Sequence, residues 1–145
     1  MEGELKKERF VLRVGTLRLT FLERFVLRII QAAVARFLEK DKVGKDEELK
    51  DLYRQYVGDY ELLRNCSVDE LFCYANDNWG EEKLEKINMV AELLYAETSY
   101  CANPLRAMLM EKAYTYYDYV EANGDMFSIE RRKKMQALKK ELRKV

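Results

Sequence analysis

Histidine is missing from the 145-residue sequence. Its absence removes the commonest general base, the Ser-His and Cys-His nucleophile pairs, and the usual ligand sets for zinc and non-haem iron. The sequence also lacks a phosphate-binding glycine loop, a dinucleotide-binding glycine fingerprint and any zinc-ligand spacing. We therefore expect a protein that is not an enzyme, with no catalytic residue, no cofactor and no bound metal.

Proline and glycine are scarce, with one proline and six glycines. The chain is instead rich in Leu, Glu, Lys, Arg, Ala and Met, which favour helix interiors. Its length lies within the range of one domain. These features predict an all-α fold in which residues 1–145 form a single domain of five or six helices, arranged as an antiparallel bundle or as stacked helical hairpins. Residues 1–19 form an uncertain amino-terminal arm, because their apolar pattern fits either a short strand or a helix.

Long uncharged runs are absent as well. The longest, Thr98 to Leu105, has eight residues, whereas a membrane-spanning helix needs about 20 apolar residues. Arg13 interrupts any hydrophobic region that would make a signal peptide. The sequence therefore predicts a cytoplasmic protein without integral membrane association. In that compartment the three cysteines, which form no Cys-x-x-Cys pair, are expected to be reduced packing residues.

Apolar residues recur at helical spacing along most of the chain. Thr20 and Glu23 form a capping box that begins the first helix, and Ser67 with Glu70 begins a shorter one. Gly58 is expected to bend or divide the second helix. The predicted helices cover residues 20–43, 46–63, 68–75, 81–101, 104–123 and 128–145. On the last of them an apolar row at heptad spacing predicts the inner side, formed by Met135, Leu138, Leu142 and Val145. The other face is expected to be charged and solvated, and it consists of Arg131 to Lys134 with Lys139, Lys140, Arg143 and Lys144.

The fourth and fifth predicted helices have different apolar patterns. The fourth has a seam at alternating three- and four-residue steps, formed by Leu84, Ile87, Ala91, Leu94, Thr98 and Cys101. The fifth, which Asn103 caps, is apolar around most of its circumference, and its polar stripe consists of Glu111, Thr115 and Asp118. We therefore expect the fifth helix to lie at the centre of the fold and to contact more than one neighbour.

Three large side chains, Met110, Tyr114 and Tyr119, lie off the main apolar face of that fifth helix. Together with the apolar stripe of the first helix, they give more apolar surface than one short bundle covers. Soluble monomers rarely expose apolar patches beyond a few hundred Å². We therefore predict a homodimer, with these three side chains as interaction residues and with protein–protein binding or scaffolding as the function.

Charge of one sign dominates each part of the chain, although the formal net charge is zero. Residues 1–45 have a net charge of +5, residues 46–103 of −9 and residues 104–145 of +4. Arg24 and Arg28 lie beside the apolar stripe of the first helix, as they would on a membrane-surface helix. A basic-ended peripheral binder of nucleic acid or of anionic membrane is therefore an alternative function.

The charge pattern and the tyrosines each bear on the choice among alternative functions. Attraction between the basic ends and the acidic middle, within the fold or between copies, explains the charge pattern without nucleic acid, so we expect no nucleic-acid partner. The many tyrosines give a further alternative, a small-molecule-binding domain with a tyrosine-lined pocket. Helical spacing of the tyrosines favours core packing over a pocket.

The stretch YVEANGDMFSIE, residues 119–130, has two interpretations. Glu121, Gly124 and Glu130 stand at positions that an EF-hand calcium loop uses for a ligand, a sharp turn and the final carboxylate. Tyr119, however, occupies the first position, where a phenol that is neutral at pH 7 replaces the usual carboxylate. Gly124 is also an ordinary helix stop. We favour a joint between two helices over a calcium site.

Four segments of the sequence carry a resemblance. These are FVLRIIQAAVARFLEK, DEELKDLYRQYV, LMEKAYTYYDYVEANG and FSIERRKKMQALKKEL, and together they resemble small bacterial all-helical proteins with tetratricopeptide-like helical hairpins. The likeness spans about two thirds of the chain, and the 34-residue period of the full tetratricopeptide signature is missing. The resemblance implies stacked helical hairpins and a binding or scaffolding role, with no catalytic activity.

Overall fold

The computed structural model describes residues 45–124 and 127–144. Within these ranges the chain forms six α-helices, one short 3₁₀-helix and no strand. The helices are α1 (Lys45–Tyr56), α2 (Tyr60–Asn65), α3 (Val68–Asn78), the 3₁₀-helix Gly80–Glu82, α4 (Lys83–Glu97), α5 (Leu105–Asn123) and α6 (Ile129–Leu142). The all-α prediction is confirmed for this part of the chain. The helix predicted over residues 20–43, the arm 1–19, Arg24 and Arg28 lie outside the described residues.

Short-range signals determine where several helices begin. Ser67 caps α3, since its hydroxyl accepts a hydrogen bond from the Glu70 amide at 3.1 Å while the Glu70 carboxylate accepts one from the Ser67 amide at 2.8 Å. Ser128 caps α6 in the same way, accepting from the Arg131 amide at 3.1 Å. Each bond satisfies an amide that has no partner inside its helix. The predicted helix starts at Ser67 and Ser128 are confirmed.

Gly58 divides the segment 46–63 into two helices, which is one of the two outcomes predicted at this glycine, because the chain turns there with a φ of 150° that favours glycine. Two other predicted boundaries are corrected. The helix predicted to end at residue 75 continues to Asn78, and the turn follows at Gly80, where φ is 52°. The next helix is shorter than 81–101, because its first turn is 3₁₀ and it ends at Glu97.

The start of α5 follows its predicted cap closely. The helix begins at Leu105 rather than Pro104, but the Asn103 side-chain oxygen accepts a hydrogen bond from the Ala107 amide at 3.1 Å. At its other end α5 stops at Asn123, directly before Gly124. Residues 119–123 therefore belong to a helix, and the predicted helix stop at Gly124 is confirmed.

The last three helices form two antiparallel hairpins. The Arg106 guanidinium at the start of α5 donates to the Thr98 carbonyl just after α4, and the other end of α5 lies beside Leu84 near the start of α4. In the next hairpin Glu121 pairs with Arg131, and Arg106 lies 3.7 Å from Glu141. Helices α1, α2 and α3 pack on α4, and α6 packs on α5.

The helix at the centre of the described fold is α4, not α5. All eight residues from 87 to 94 are buried, so the predicted seam is only part of its buried surface. Helix α5 has one exposed side, and this side contains the predicted polar residues Glu111 and Asp118. It does contact more than one neighbour, as predicted, since it packs on α4 and α6 and its Tyr116 and Tyr119 rings touch Phe72 of α3.

Helix α6 packs through the apolar row that its sequence predicts. Leu138 is buried, and Met135 and Leu142 pack against the core. Arg131 and Lys134 were expected on the solvated side of this helix, and that expectation is wrong. Arg131 is 5% exposed, and Lys134 reaches a buried carboxylate of α4. Long aliphatic stems let both side chains lie inside the fold while their charged ends are paired.

Candidate functional site

A buried ion pair joins the end of α2 to the end of α4. The Arg64 guanidinium donates to both oxygens of Glu97, from Nε at 3.1 Å and from Nη2 at 2.5 Å. Glu97 is only 3% exposed. The hydrogen bonds with Glu97 raise the pKa of Arg64, so the guanidinium stays charged. Lys112 of α5 donates to the Arg64 carbonyl at 3.1 Å and connects a third helix to this pair.

Tyrosines surround this pair and take part in packing. The rings of Tyr53 and Tyr60 meet edge to face, with centroids 5.1 Å apart. Burial, followed by the nearby charge of Glu97, raises the pKa of Tyr53 well above its ordinary value. A phenol with a raised pKa keeps its proton at neutral pH, so it does not serve as a general base there. The tyrosines beside Glu97 are core residues, as their helical spacing predicts.

A second buried carboxylate, Glu92, lies in the middle of α4. Its oxygen accepts a hydrogen bond from Lys134 of α6 at 2.5 Å, and Glu92 is 1% exposed. The same ammonium lies 5.4 Å from the centre of the Tyr95 ring. Burial, followed by the charge of Glu92, raises the pKa of Tyr117. Lys134 thus connects α6 to α4 across the fold.

A third carboxylate, Glu121, holds the joint between α5 and α6. Its two oxygens accept from Arg131 at 2.6 Å and from Arg132 at 3.1 Å. Glu121 is also the residue that would supply the third-position ligand of a calcium loop. Because two guanidinium groups already occupy this carboxylate, the geometry favours the helix joint over a cation site.

These three carboxylates lie at separate places and each joins two helices: α2 to α4, α4 to α6, and α5 to α6. An active site normally brings several such groups to one cleft around a reacting atom. Among residues 45–124 and 127–144, no group of three or more Cys, Asp or Glu side chains is placed to hold a metal ion. Each of the three ion pairs fastens one helix to another.

The three cysteines are free thiols. Cys66 is buried, and burial raises its pKa; burial likewise raises the pKa of Cys101. Lys112 lies close enough to Cys66 to oppose this effect, but burial lowers the pKa of Lys112 itself. A raised pKa reduces the thiolate fraction, which disfavours the Cys66 and Cys101 thiols as nucleophiles.

The three residues of α5 that were predicted to form an interaction surface do not lie on one common exposed surface. Met110 is 1% exposed and therefore packs inside the fold, so its assignment to a contact surface is corrected. It lies on the side of α5 that carries Arg106 and Glu121, both of which reach α6. Helix α6 therefore covers the part of α5 that the sequence pattern left without a neighbour.

Tyr114 and Tyr119 are half-buried and lie on different sides of α5. They stand five positions apart along the helix, which turns their side chains about 140° apart around the axis. Tyr119 packs against Phe72, with ring centroids 4.7 Å apart, and its ring lies 5.6 Å from the Lys83 ammonium. Tyr114 stands one helical turn after Met110, at the margin of the side that α6 covers, and packs at the edge of the core. Of the three residues, we therefore assign to Tyr114 the half-buried ring that is available for a contact outside the described fold.

Sequence reasoning missed the buried charges. Glu92 lies among apolar residues in the run MVAELLYAE, and an acidic residue within such a run indicates a buried partner of opposite charge. Sequence reasoning also did not predict that Phe127 and Ile129, at the start of α6, are 62% and 60% exposed.

Comparisons with known proteins do not add a function. The chain matches no protein-family model, no curated protein and no solved structure at a significant level. In the part of the chain that the structure describes, no helix has the length and apolar character that crossing a bilayer requires. A functional assignment therefore depends on the geometry of the helices and their surfaces.

Proposed function

We propose that the protein is a non-catalytic protein–protein interaction module, and that a second copy of the chain is one of its partners. The observation that supports this proposal is the use of the interior charges. Arg64–Glu97, Lys134–Glu92 and Arg131–Glu121 each fasten one helix to another. The chemistry of the described interior is therefore structural, which leaves the outer helical surfaces as the place for function.

Antiparallel hairpins are well suited to such a role. Helices α4, α5 and α6 lie side by side, and ion pairs at both ends of α5 fix their register. A rigid stack presents its outer side chains without a large loss of conformational freedom on binding, which favours affinity. The resemblance to proteins with tetratricopeptide-like hairpins agrees with this proposal.

Sedimentation equilibrium of the full chain at high micromolar concentration tests self-association. We expect a mass near twice the chain's 17.3 kDa. The Tyr114→Glu variant should shift the equilibrium toward the monomer, because it replaces the half-buried ring at the edge of α5 with a charged carboxylate. Met110→Glu is unsuitable here, since a charge at a buried position would unfold the protein.

Glu111→Gln is the matched control, because Glu111 lies on the exposed polar stripe of the same helix. It should leave the association unchanged. A wild-type mass near 17.3 kDa at every concentration would contradict the second copy as partner. Dissociation by Glu111→Gln as strongly as by Tyr114→Glu would instead contradict the role of the Tyr114 edge.

A further inference from the structure

Helix α6 presents one continuous basic side to the solvent. Lys133, Gln136, Lys140 and Arg143 follow one another at steps of three, four and three residues, so they form one row along the helix. This row lies opposite Leu138, which faces the core. We call the exposed cations of this side the basic face; they are Arg132, Lys133, Lys139, Lys140, Arg143 and Lys144.

Most of the charge on the basic face has no neutralising partner among the residues that the structure describes. Arg132 donates to Glu121, and Lys144 lies 3.4 Å from Glu141. Among the described residues no carboxylate lies within ion-pair distance of the other four cations, which are Lys133, Lys139, Lys140 and Arg143. Their charges are therefore available to an anionic partner.

Two large apolar side chains stand at the start of the same side. Ile129 precedes Lys133 by one helical turn and is 60% exposed. Phe127 is 62% exposed, and the Arg132 guanidinium lies 4.6 Å from the centre of its ring. Apolar and basic groups are thus combined on one outer surface, which is the composition of proteins that bind at a membrane interface.

The acidic helices are packed elsewhere. Helices α1, α2 and α3 pack on α4, whereas α6 packs on α5 and reaches α4 only through Lys134 in the ion pairs of the described residues. Exposed carboxylates such as Asp46, Glu47 and Asp51 belong to α1. An anionic surface that approaches the basic face therefore meets few acidic side chains.

We propose that the basic face docks the protein on an anionic phospholipid surface, with Phe127 and Ile129 entering the headgroup region. A lipid surface is fluid, so it can follow the convex outer side of a single helix. The headgroup region also accepts the two apolar side chains, whereas a nucleic-acid backbone offers no apolar environment to Ile129. Each cation near an anionic bilayer raises the affinity about fivefold.

Vesicle co-sedimentation of the full chain tests this proposal. The probes are vesicles of phosphatidylcholine alone and of an equimolar mixture with phosphatidylserine. We expect binding to the mixed vesicles only, with affinity that falls as salt is added. Lys133→Gln with Lys140→Gln should lower the affinity about 25-fold, the effect of two lost cations. Phe127→Ser with Ile129→Ser should weaken binding while its salt dependence stays the same.

Arg54→Gln is the matched control, because Arg54 is an exposed cation of α1. It should leave the affinity within twofold of the wild type, whereas Lys140→Gln alone should lower it about fivefold. Equal binding to both kinds of vesicle, no binding to either, or equal losses for Arg54→Gln and Lys140→Gln would overturn the proposal. Tighter binding to duplex DNA than to the mixed vesicles, lost in the Lys133 and Lys140 variant, would also overturn it in favour of a nucleic acid.

Discussion

Breaking the Arg64–Glu97 pair should destabilise the protein far more than the loss of a solvent-exposed ion pair of comparable distance. Removing one partner of a buried pair costs about 3–5 kcal/mol, because the other charge stays buried without compensation. The Arg64 side chain is 18% exposed and that of Glu97 only 3%. We therefore expect Glu97→Gln to cost about 3 kcal/mol and Arg64→Met, which strands the more deeply buried charge, about 4 kcal/mol.

Urea denaturation followed by circular dichroism measures these changes. With a slope of about 2 kcal/mol per molar urea, the midpoint should fall by roughly 1.5 M for Glu97→Gln and 2 M for Arg64→Met. Combining Arg64→Met with Glu97→Leu should bring the free energy of unfolding back to within about 1 kcal/mol of the wild type, because no unpaired charge remains buried.

The pair Arg54–Asp51 is the control. Its oxygen and nitrogen lie 2.7 Å apart, but the side chains are 57% and 72% exposed. Asp51→Asn should therefore change the free energy of unfolding by less than about 0.5 kcal/mol. Two outcomes would show that burial does not set the contribution of the Arg64–Glu97 pair to stability. One is an equal midpoint shift for Asp51→Asn and Glu97→Gln. The other is a strictly additive loss when both partners of the buried pair are replaced.

Two further predictions concern the tyrosines and a helix cap. Burial raises the pKa of Tyr53, Tyr116 and Tyr117, so their contribution to stability is complete below the unfolded value of about 10 and is lost as the pH rises above it. Above pH 10 the free energy of unfolding should fall with pH less steeply in Tyr117→Phe than in the wild type, by about 1.4 kcal/mol per pH unit. An unchanged slope, measured by urea denaturation at a series of pH values, would contradict this. Ser67→Ala removes the cap of α3 and should lower the free energy of unfolding by about 1 kcal/mol in the same assay. The control is Ser99→Ala, which lies outside any helix start and should change the free energy of unfolding by less than about 0.5 kcal/mol. Equal losses for the two variants would show that the cap has no special effect.

The amino-acid sequence by itself determined the helical class and several helix ends. Ser67, Ser128 and Gly124 act through hydrogen bonds and backbone preferences within a few residues of themselves, so their effects are readable without knowledge of the fold. The row Met135, Leu138 and Leu142 likewise indicated the inner side of α6, because helical periodicity alone places those residues together.

Only the tertiary structure decided which helix is central and where the long side chains go. Met110 is buried because α6 covers its side of α5, and Tyr119 is half-buried because Phe72 of α3 packs on it. Arg131 and Lys134 belong to the interior because Glu121 and Glu92 pair with them from other helices. Such partners lie 10 to 42 residues away along the chain, and local periodicity contains no information about contacts at that separation. The basic face has the same origin, since the pairing of those two cations inside the fold leaves the remaining cations of α6 together on its outer side.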